Sequence, residues 1–106
     1  MRDFRKLVIW KQGIEIVKEV YKLSEQLPKE EKFGLKSQIT RAAVSIPSNI
    51  AEGSSRNSSI EFKRFLEIAI GSLFELETQL VIITELNLIK SFENNFLMEL
   101  IIKKEK

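Results

Sequence analysis

The stretch from Arg41 to Ser58 reads RAAVSIPSNIAEGSSRNS and decides the fold. Advancing about 100° per residue from Ile46 places the nearby apolar side chains in one arc roughly 100° wide, which is the width of a core-facing helical stripe. The residues of this arc are Leu35, Ile39, Ala42, Ala43, Ile46 and Ile50. The pattern therefore predicts a helix, from about residue 33 to residue 54, with one buried face.

The other faces of this helix differ in character. The back is small and uncharged, which is unusual for a surface in water, and it consists of Thr40, Val44, Ser48 and Ala51. Pro47 removes one backbone hydrogen bond and directs its ring at the carbonyl of Ala43, so we expect a kink or a break there. Gly53 favours either a left-handed cap or a closely packed turn at the end of the helix.

Composition narrows the class of protein. The 106 residues fit one domain, 1–106, and 43% apolar with 30% charged residues is typical of a soluble globular protein. The 17 basic and 15 acidic side chains nearly balance, which is weak support for a nucleic-acid partner. The chain has no cysteine and no histidine, so thiolate chemistry and the commonest general base are excluded.

Membrane and export signals are not evident in the sequence. The first ten residues, MRDFRKLVIW, carry charges without a long apolar run after them, unlike a signal peptide. The longest uncharged run, 42–51, is too short and too polar to span a bilayer. We therefore expect a cytoplasmic protein with no membrane association.

Helix 1 is predicted from about Arg5 to Gln26, with Asp3 as its N-cap. Its main apolar stripe is predicted to be Leu7, Trp10, Ile14, Val17 and Tyr21. A second apolar row lies on the far side and comprises Ile9, Ile16 and Leu23, with Val20 between the two rows. A helix with one partner face does not need both rows.

Helix 3 is predicted to begin after Ser58, which forms a capping-box pattern with Glu61, and to end near Asn87. Its stripe is Phe62, Phe65, Leu66, Ala69, Leu73, Leu76, Leu80 and Ile83, whereas Ile68, Phe74, Val81 and Ile82 point away. Gly71 is expected to allow a close helix approach.

Helix 4 is predicted from about Ser91 to Lys103, with apolar side chains at Phe92, Phe96, Leu97, Leu100 and Ile101. Four helices joined by short connections predict an all-α fold, an up-down-up-down antiparallel four-helix bundle in which helix 2 is kinked at Pro47. The apolar surface outside the predicted stripes indicates that the bundle associates with copies of itself.

Several ordered blocks of the sequence resemble a known family. They are FRKLVIW from Phe4, RAAVSIPSNIAEG from Arg41 and IAIGSLFELETQL from Ile68 to Leu80. Together they resemble the small four-helix bundle proteins encoded by intervening sequences in bacterial 23S ribosomal RNA genes, over about 4–89. This chain departs from the family in its near balance of charge and in Thr40-Arg41, where the family often has two adjacent arginines.

The resemblance implies a homopentameric ring of antiparallel bundles whose biochemical activity is poorly defined. Related proteins include the accessory subunit of diversity-generating retroelements. That subunit binds nucleic acid and a reverse transcriptase through a basic surface of its pentamer.

Basic residues cluster near both termini of the sequence. Because helices 1 and 4 are expected to be antiparallel, these residues would form one basic end of each subunit. The candidate nucleic-acid-binding residues are Arg2, Arg5, Lys6, Lys11, Lys103 and Lys104. Phosphate contacts of this kind give salt-sensitive binding without sequence preference. The alternative is that these charges only solubilise the chain ends and complement the helix 4 dipole.

A polar strip on one flank of helix 2 comprises Arg41, Ser45, Asn49, Glu52 and Arg56. We interpret it as a structural layer that fixes the helix at Pro47, with the alternative that it recognises RNA phosphates or a partner. A metal site at Glu52, Glu75 and Glu77 is conceivable in a bundle, but the chain lacks the Glu-x-x-His pair typical of di-iron bundles. The sequence therefore predicts neither a metal nor another cofactor.

The sequence favours a non-enzymatic, oligomeric bundle that binds RNA or a ribonucleoprotein through its basic ends. The alternative is an oligomeric scaffold for a protein partner, such as a reverse transcriptase, without nucleic-acid contact. The serine-rich turn at 54–59 lacks a nearby base for a nucleophile, so capping explains it better than catalysis. No small-molecule substrate is predicted.

Overall fold

The computed structural model describes residues 2–89, and these residues are helical without any strand. They form α1 (Val8–Ser24), α2 (Leu35–Ser54) and α3 (Ser59–Glu85), with short 3-10 turns at Phe4–Lys6 and Lys29–Glu31. The all-α prediction is confirmed. The predicted helix 4 lies outside the described residues.

The helix α2 is central, with α1 packed on one side and α3 on the other. Gly13 of α1 faces Pro47, whereas Ser45 of α2 bonds to Ser72 of α3. The main-chain N–H of Arg2 also bonds to the carbonyl of Ser54, which places the beginning of the chain at the end of α2. Consecutive helices are therefore antiparallel.

The predicted core face of α2 is confirmed. Ile39, Ala42, Ala43, Ile46 and Ile50 are buried and join one apolar cluster, with Leu35 packed against it. Pro47 lies inside the helix and is buried, and α2 continues through it from Leu35 to Ser54. The helix therefore does not break at the proline, and its bend stays a prediction.

The predicted faces of α1 need correction. Ile16, Val20 and Leu23 are buried in the core, although the sequence pattern placed Ile16 and Leu23 in the secondary row. The predicted main stripe is only partly buried, and Tyr21 is 48% exposed. The cause is the contact at Gly13, where an added methyl group would lie 3.2 Å from Cβ of Pro47, so this side of α1 faces α2.

The ends of α1 also differ from the prediction. Asp3 caps the 3-10 turn by accepting a hydrogen bond from the main-chain N–H of Arg5, and it does not cap α1 itself. Leu7 has an extended backbone (φ −74°, ψ 128°), which separates that turn from α1. The α-helix therefore begins at Val8.

The ends of α3 follow local capping rules. The Ser58 hydroxyl accepts the N–H of Glu61 at 3.1 Å, which confirms Ser58 as the N-cap. At the other end Asn87 has φ 53°, the N–H of Asn87 bonds to the carbonyl of Thr84, and the N–H of Leu88 bonds to Ile83. These two bonds form a Schellman motif that stops the helix.

Two glycines behave differently from each other. Gly53 lies inside α2 and is closely packed, because a Cβ atom added there would lie 2.5 Å from Cβ of Phe65. It therefore permits close packing and is not a left-handed cap. Gly71 is exposed and no described atom lies within 4 Å of an added Cβ, so the expected close helix approach is absent from the described part of the chain.

The core of α3 matches its predicted stripe from Ala69 to Ile83, whereas Phe62, Phe65 and Leu66 are half-buried. The side chains predicted to point away are exposed: Ile68, Phe74, Val81 and Ile82.

Within residues 2–89, no helix has both the length and the apolar character needed to cross a membrane.

Candidate nucleic-acid interface

Three separate parts of the chain meet at one end of the molecule. They are the residues before α1, the end of α2 and the beginning of α3. Arg2 joins the first two, since its N–H donates to the carbonyl of Ser54 at 3.2 Å and its Nη1 donates to the carbonyl of Arg56 at 3.3 Å. We call the region around Arg2, Arg5, Lys6 and Arg56 the basic end.

Aromatic rings from α3 support the two joined arginines. The guanidinium of Arg2 lies 4.2 Å from the ring centre of Phe62, and that of Arg56 lies 4.9 Å from the ring centre of Phe65. Phe62 and Phe65 are three positions apart on α3 and share a face. Stacking on a ring holds a guanidinium while leaving the N–H groups at its edge available to acceptors.

Gly53 has no side chain, which allows the end of α2 to pack against the two rings of α3. The end of α2 approaches α3 so closely that an added Cβ would also lie 3.1 Å from Cδ1 of Phe62. Both supporting rings therefore contact the last turn of α2.

The remaining predicted cations at the beginning of the chain are exposed. Arg5 pairs with Asp3 at 3.8 Å and stacks on Phe4 at 4.6 Å. Lys6 and Lys11 form no ion pair with any residue of 2–89. The predicted partners Lys103 and Lys104 lie outside the described residues.

The predicted polar strip of α2 divides into three environments. Ser45 and Asn49 lie between α2 and α3, where Ser45 Oγ is 2.6 Å from Ser72 Oγ and Asn49 Nδ2 donates to Ser45 Oγ at 3.0 Å. Glu52 and Arg56 form an ion pair of 3.8 Å at the basic end. Arg41 is exposed and lines a shallow pocket together with Ser45, but it forms no ion pair within residues 2–89.

The three glutamates considered as metal ligands do not form a group in the described structure. Within residues 2–89, no three carboxylate, imidazole or thiol side chains are grouped to hold a metal ion. Glu75 instead accepts a hydrogen bond of 3.3 Å from Nε2 of Gln79. Gln79 is 4% exposed, and the periodicity analysis did not identify it as a buried polar residue.

A groove runs between α1 and α3 on the side of the core. Its volume is about 260 Å³, and α2 forms its floor with Ile46 and Ile50. Its walls are mainly apolar and consist of Ile9, Gln12, Ile16, Leu66, Ala69, Ile70 and Leu73. We call it the α1–α3 groove.

Comparisons with known proteins define the fold and the family. The chain is similar to the crystal structure of a Bacteroides thetaiotaomicron protein of unknown function from the S23 ribosomal protein family. The two share 23% identity, the match covers 91% of this chain and 90% of the other, and the TM-score is 0.82. The search of curated proteins gave no match.

The family model described as 23S rRNA-intervening sequence protein matches residues 5–106. Neither this description nor that of the structural neighbour names an enzymatic activity. The resemblance inferred from the sequence blocks is therefore confirmed, and the chain belongs to the family of 23S rRNA-intervening sequence proteins.

Proposed function

We propose that this protein is a non-enzymatic, oligomeric helical bundle of the cytoplasm that binds RNA through the basic end. The observation that carries the proposal is the convergence of Arg2, Arg5, Lys6 and Arg56 from separate chain segments onto one end of the fold. Clustered cations of this kind bind phosphates through charge and are insensitive to base sequence. The family description, which concerns 23S ribosomal RNA genes, is consistent with an RNA ligand.

We further propose that the segment after residue 89 supplies the fourth helix of the bundle. The α1–α3 groove is apolar, and an apolar surface of this kind is stabilised when another apolar element covers it. The segment carries enough apolar residues for this, with Phe92, Phe96, Leu97, Leu100 and Ile101. Its lysines at 103 and 104 would then lie near the beginning of α1, at the basic end.

Exposed apolar residues on α3 support association between copies. Ile68 is 47% exposed and Ile82 is 39% exposed, and their separation of fourteen positions places them on one face. We expect sedimentation equilibrium to give a mass several times the 12.3 kDa of one chain. Ile82→Glu should lower that mass, because a carboxylate in an apolar interface is costly.

The matched control for this test is Glu85→Gln, which changes a charged, exposed position of the same helix without adding a charge to the apolar face. It should leave the mass unchanged. A monomer mass that does not depend on protein concentration would refute the oligomer.

The RNA proposal is tested by filter binding of a labelled RNA hairpin across a salt series. We expect the logarithm of the affinity to fall linearly with the logarithm of the salt concentration. Lys6→Glu should weaken binding about three- to tenfold at low salt, since it replaces one phosphate contact with a repulsion. Lys29→Glu, an equal charge reversal in the connection between α1 and α2, should have little effect.

The alternative function is a scaffold for a protein partner, such as a reverse transcriptase. It is favoured by the end of the molecule opposite the basic end, where Phe33 is 87% exposed and Leu86 is 62% exposed. Large exposed apolar side chains are typical of contact sites for other proteins. No RNA binding at low salt, or binding that does not depend on salt, would support this alternative and remove the phosphate model.

A further inference from the structure

The charged contacts of Arg56 leave its guanidinium incompletely satisfied. An arginine side chain has five N–H donors in a planar fork. The nearest carboxylate oxygen, Oε2 of Glu52, is 3.8 Å from Nη2, which is an ion pair but too long for a hydrogen bond. Nε of Arg56 is buried and has no hydrogen-bond partner among residues 2–89.

A buried N–H without an acceptor is unfavourable, and the contacts of the Arg56 guanidinium are its stacking on Phe65 and a long ion pair with Glu52. The ion pair contributes little, because its side chains are 42% and 59% exposed. An oxyanion with two free oxygens could bond to Nη1 and Nη2 together, which is one of the bidentate geometries that guanidinium groups provide, whereas the buried Nε is out of reach of a ligand from solvent. Such an acceptor would satisfy donors that Glu52 does not.

Arg2 extends the same site. Its Nη1 donates to the main-chain carbonyl of Arg56, which places the Arg2 guanidinium beside the Arg56 backbone. Both are supported by rings of α3, at 4.2 Å and 4.9 Å. A phosphodiester group has one negative charge and two free oxygens, and guanidinium groups bind such an oxyanion through charge and paired hydrogen bonds.

We propose that Arg56 is a phosphate-binding residue of the basic end and that Glu52 limits its affinity by competing for the same guanidinium. The inference rests on the proposed RNA binding for its ligand class, a phosphodiester backbone. It assigns Glu52 and Arg56 a role in ligand binding, in place of the structural role predicted for the polar strip. Removing the Glu52 charge strengthens binding, whereas a strip that only maintains the fold would weaken it when altered.

The test compares Glu52→Gln, Arg56→Lys and the control Glu85→Gln, which makes the same charge change on α3 away from the basic end. With the RNA hairpin, we expect Glu52→Gln to bind about two- to fivefold tighter, which is the range for the loss of an exposed ion pair. Arg56→Lys keeps the charge but loses the bidentate edge, so binding should weaken by about threefold. Glu85→Gln should change affinity less than Glu52→Gln, and all three proteins should keep the parent melting temperature within a few degrees.

A second arm uses inorganic phosphate and follows the Nε–H signal of Arg56 by NMR. We expect phosphate to shift this signal, and to do so at lower concentration in Glu52→Gln.

If the parent binds RNA but Glu52→Gln and Glu85→Gln have equal affinities, the inference is overturned and the proposed function stands. If RNA does not bind but phosphate shifts the signal as expected, the proposed function fails and the oxyanion site stands. If neither RNA nor phosphate has an effect, both are wrong.

Discussion

Replacing Leu76 with alanine should lower the free energy of unfolding by about 2–5 kcal/mol, the usual range for a large-to-small change in a packed core. Leu76 is 0% exposed and lies in the apolar cluster that α3 shares with α2. The change removes buried apolar atoms and leaves a cavity that the three packed helices cannot fully close. Urea unfolding followed by circular dichroism at a fixed protein concentration measures the loss.

The matched control is Phe74→Ala, two positions earlier on the same helix. Phe74 is 53% exposed, so its truncation should cost clearly less than that of Leu76 if its face is open to solvent. A loss for Leu76→Ala below about 1 kcal/mol would contradict the assigned core, because fully buried leucines rarely cost so little. An equal loss for both variants would show that another element or copy covers Phe74.

Gly53→Ala is expected to destabilise the protein by about 1–3 kcal/mol, although alanine is the better helix former. The added Cβ would lie 2.5 Å from Cβ of Phe65, an atom fixed to the α3 backbone. The helices must therefore separate locally or Phe65 must shift. For a domain of this size the melting temperature should fall by roughly 4–8 °C for each kcal/mol.

Gly71→Ala is the control for Gly53→Ala, since it makes the same chemical change in another helix. No described atom lies within 4 Å of the added Cβ at Gly71, so only helix propensity should change. We expect a gain of about 0.5–1 kcal/mol. Thermal melts of the two variants should therefore shift in opposite directions, and a rise for both would refute the close packing at Gly53.

Periodicity alone identified the buried faces of α2 and α3. The buried arc of α2 was predictable because polar or small residues separate it from the other faces. The buried residues of α3 from Ala69 to Ile83 were predictable from their regular helical spacing, although this helix also has exposed apolar side chains such as Phe74 and Val81. The N-cap at Ser58 was also predictable, since capping depends on a few neighbouring residues. These features are local and need no knowledge of a partner helix.

The orientation of α1 was not predictable in the same way. Its sequence has two apolar rows, and helical spacing alone favours the row with more and larger side chains. The structure instead buries Ile16 and Leu23 of the other row, whose third member Ile9 is 43% exposed, since Gly13 allows α1 to approach Pro47. The sequence does contain a signal, which is a glycine within an amphipathic helix. That glycine indicates the buried face only when the residue that it contacts, Pro47, is known.

The candidate site was predictable in part. The basic residues before α1 were identified from their clustering, whereas Arg56 was assigned to a structural strip. Its contacts with Arg2 and Phe65 join residues that are distant in sequence, and helical spacing within α2 does not indicate them. Gln79 lies three residues after Leu76 and four before Ile83, so helical spacing places it on the buried face, and it was missed because only apolar residues were assigned to the stripe.

The contact between Gly13 and Pro47 also fixes how far α1 can slide along α2. A shift by one turn in either direction would bring Ile9 or Val17 near the position of Gly13, and a bulky side chain would then meet the pyrrolidine ring. Gly13 therefore fixes the axial position of α1 along α2. The residues that precede α1 move with this helix, so the contact of Gly13 with Pro47 also sets the spacing between the cations before α1 and Arg56, which follows the end of α2.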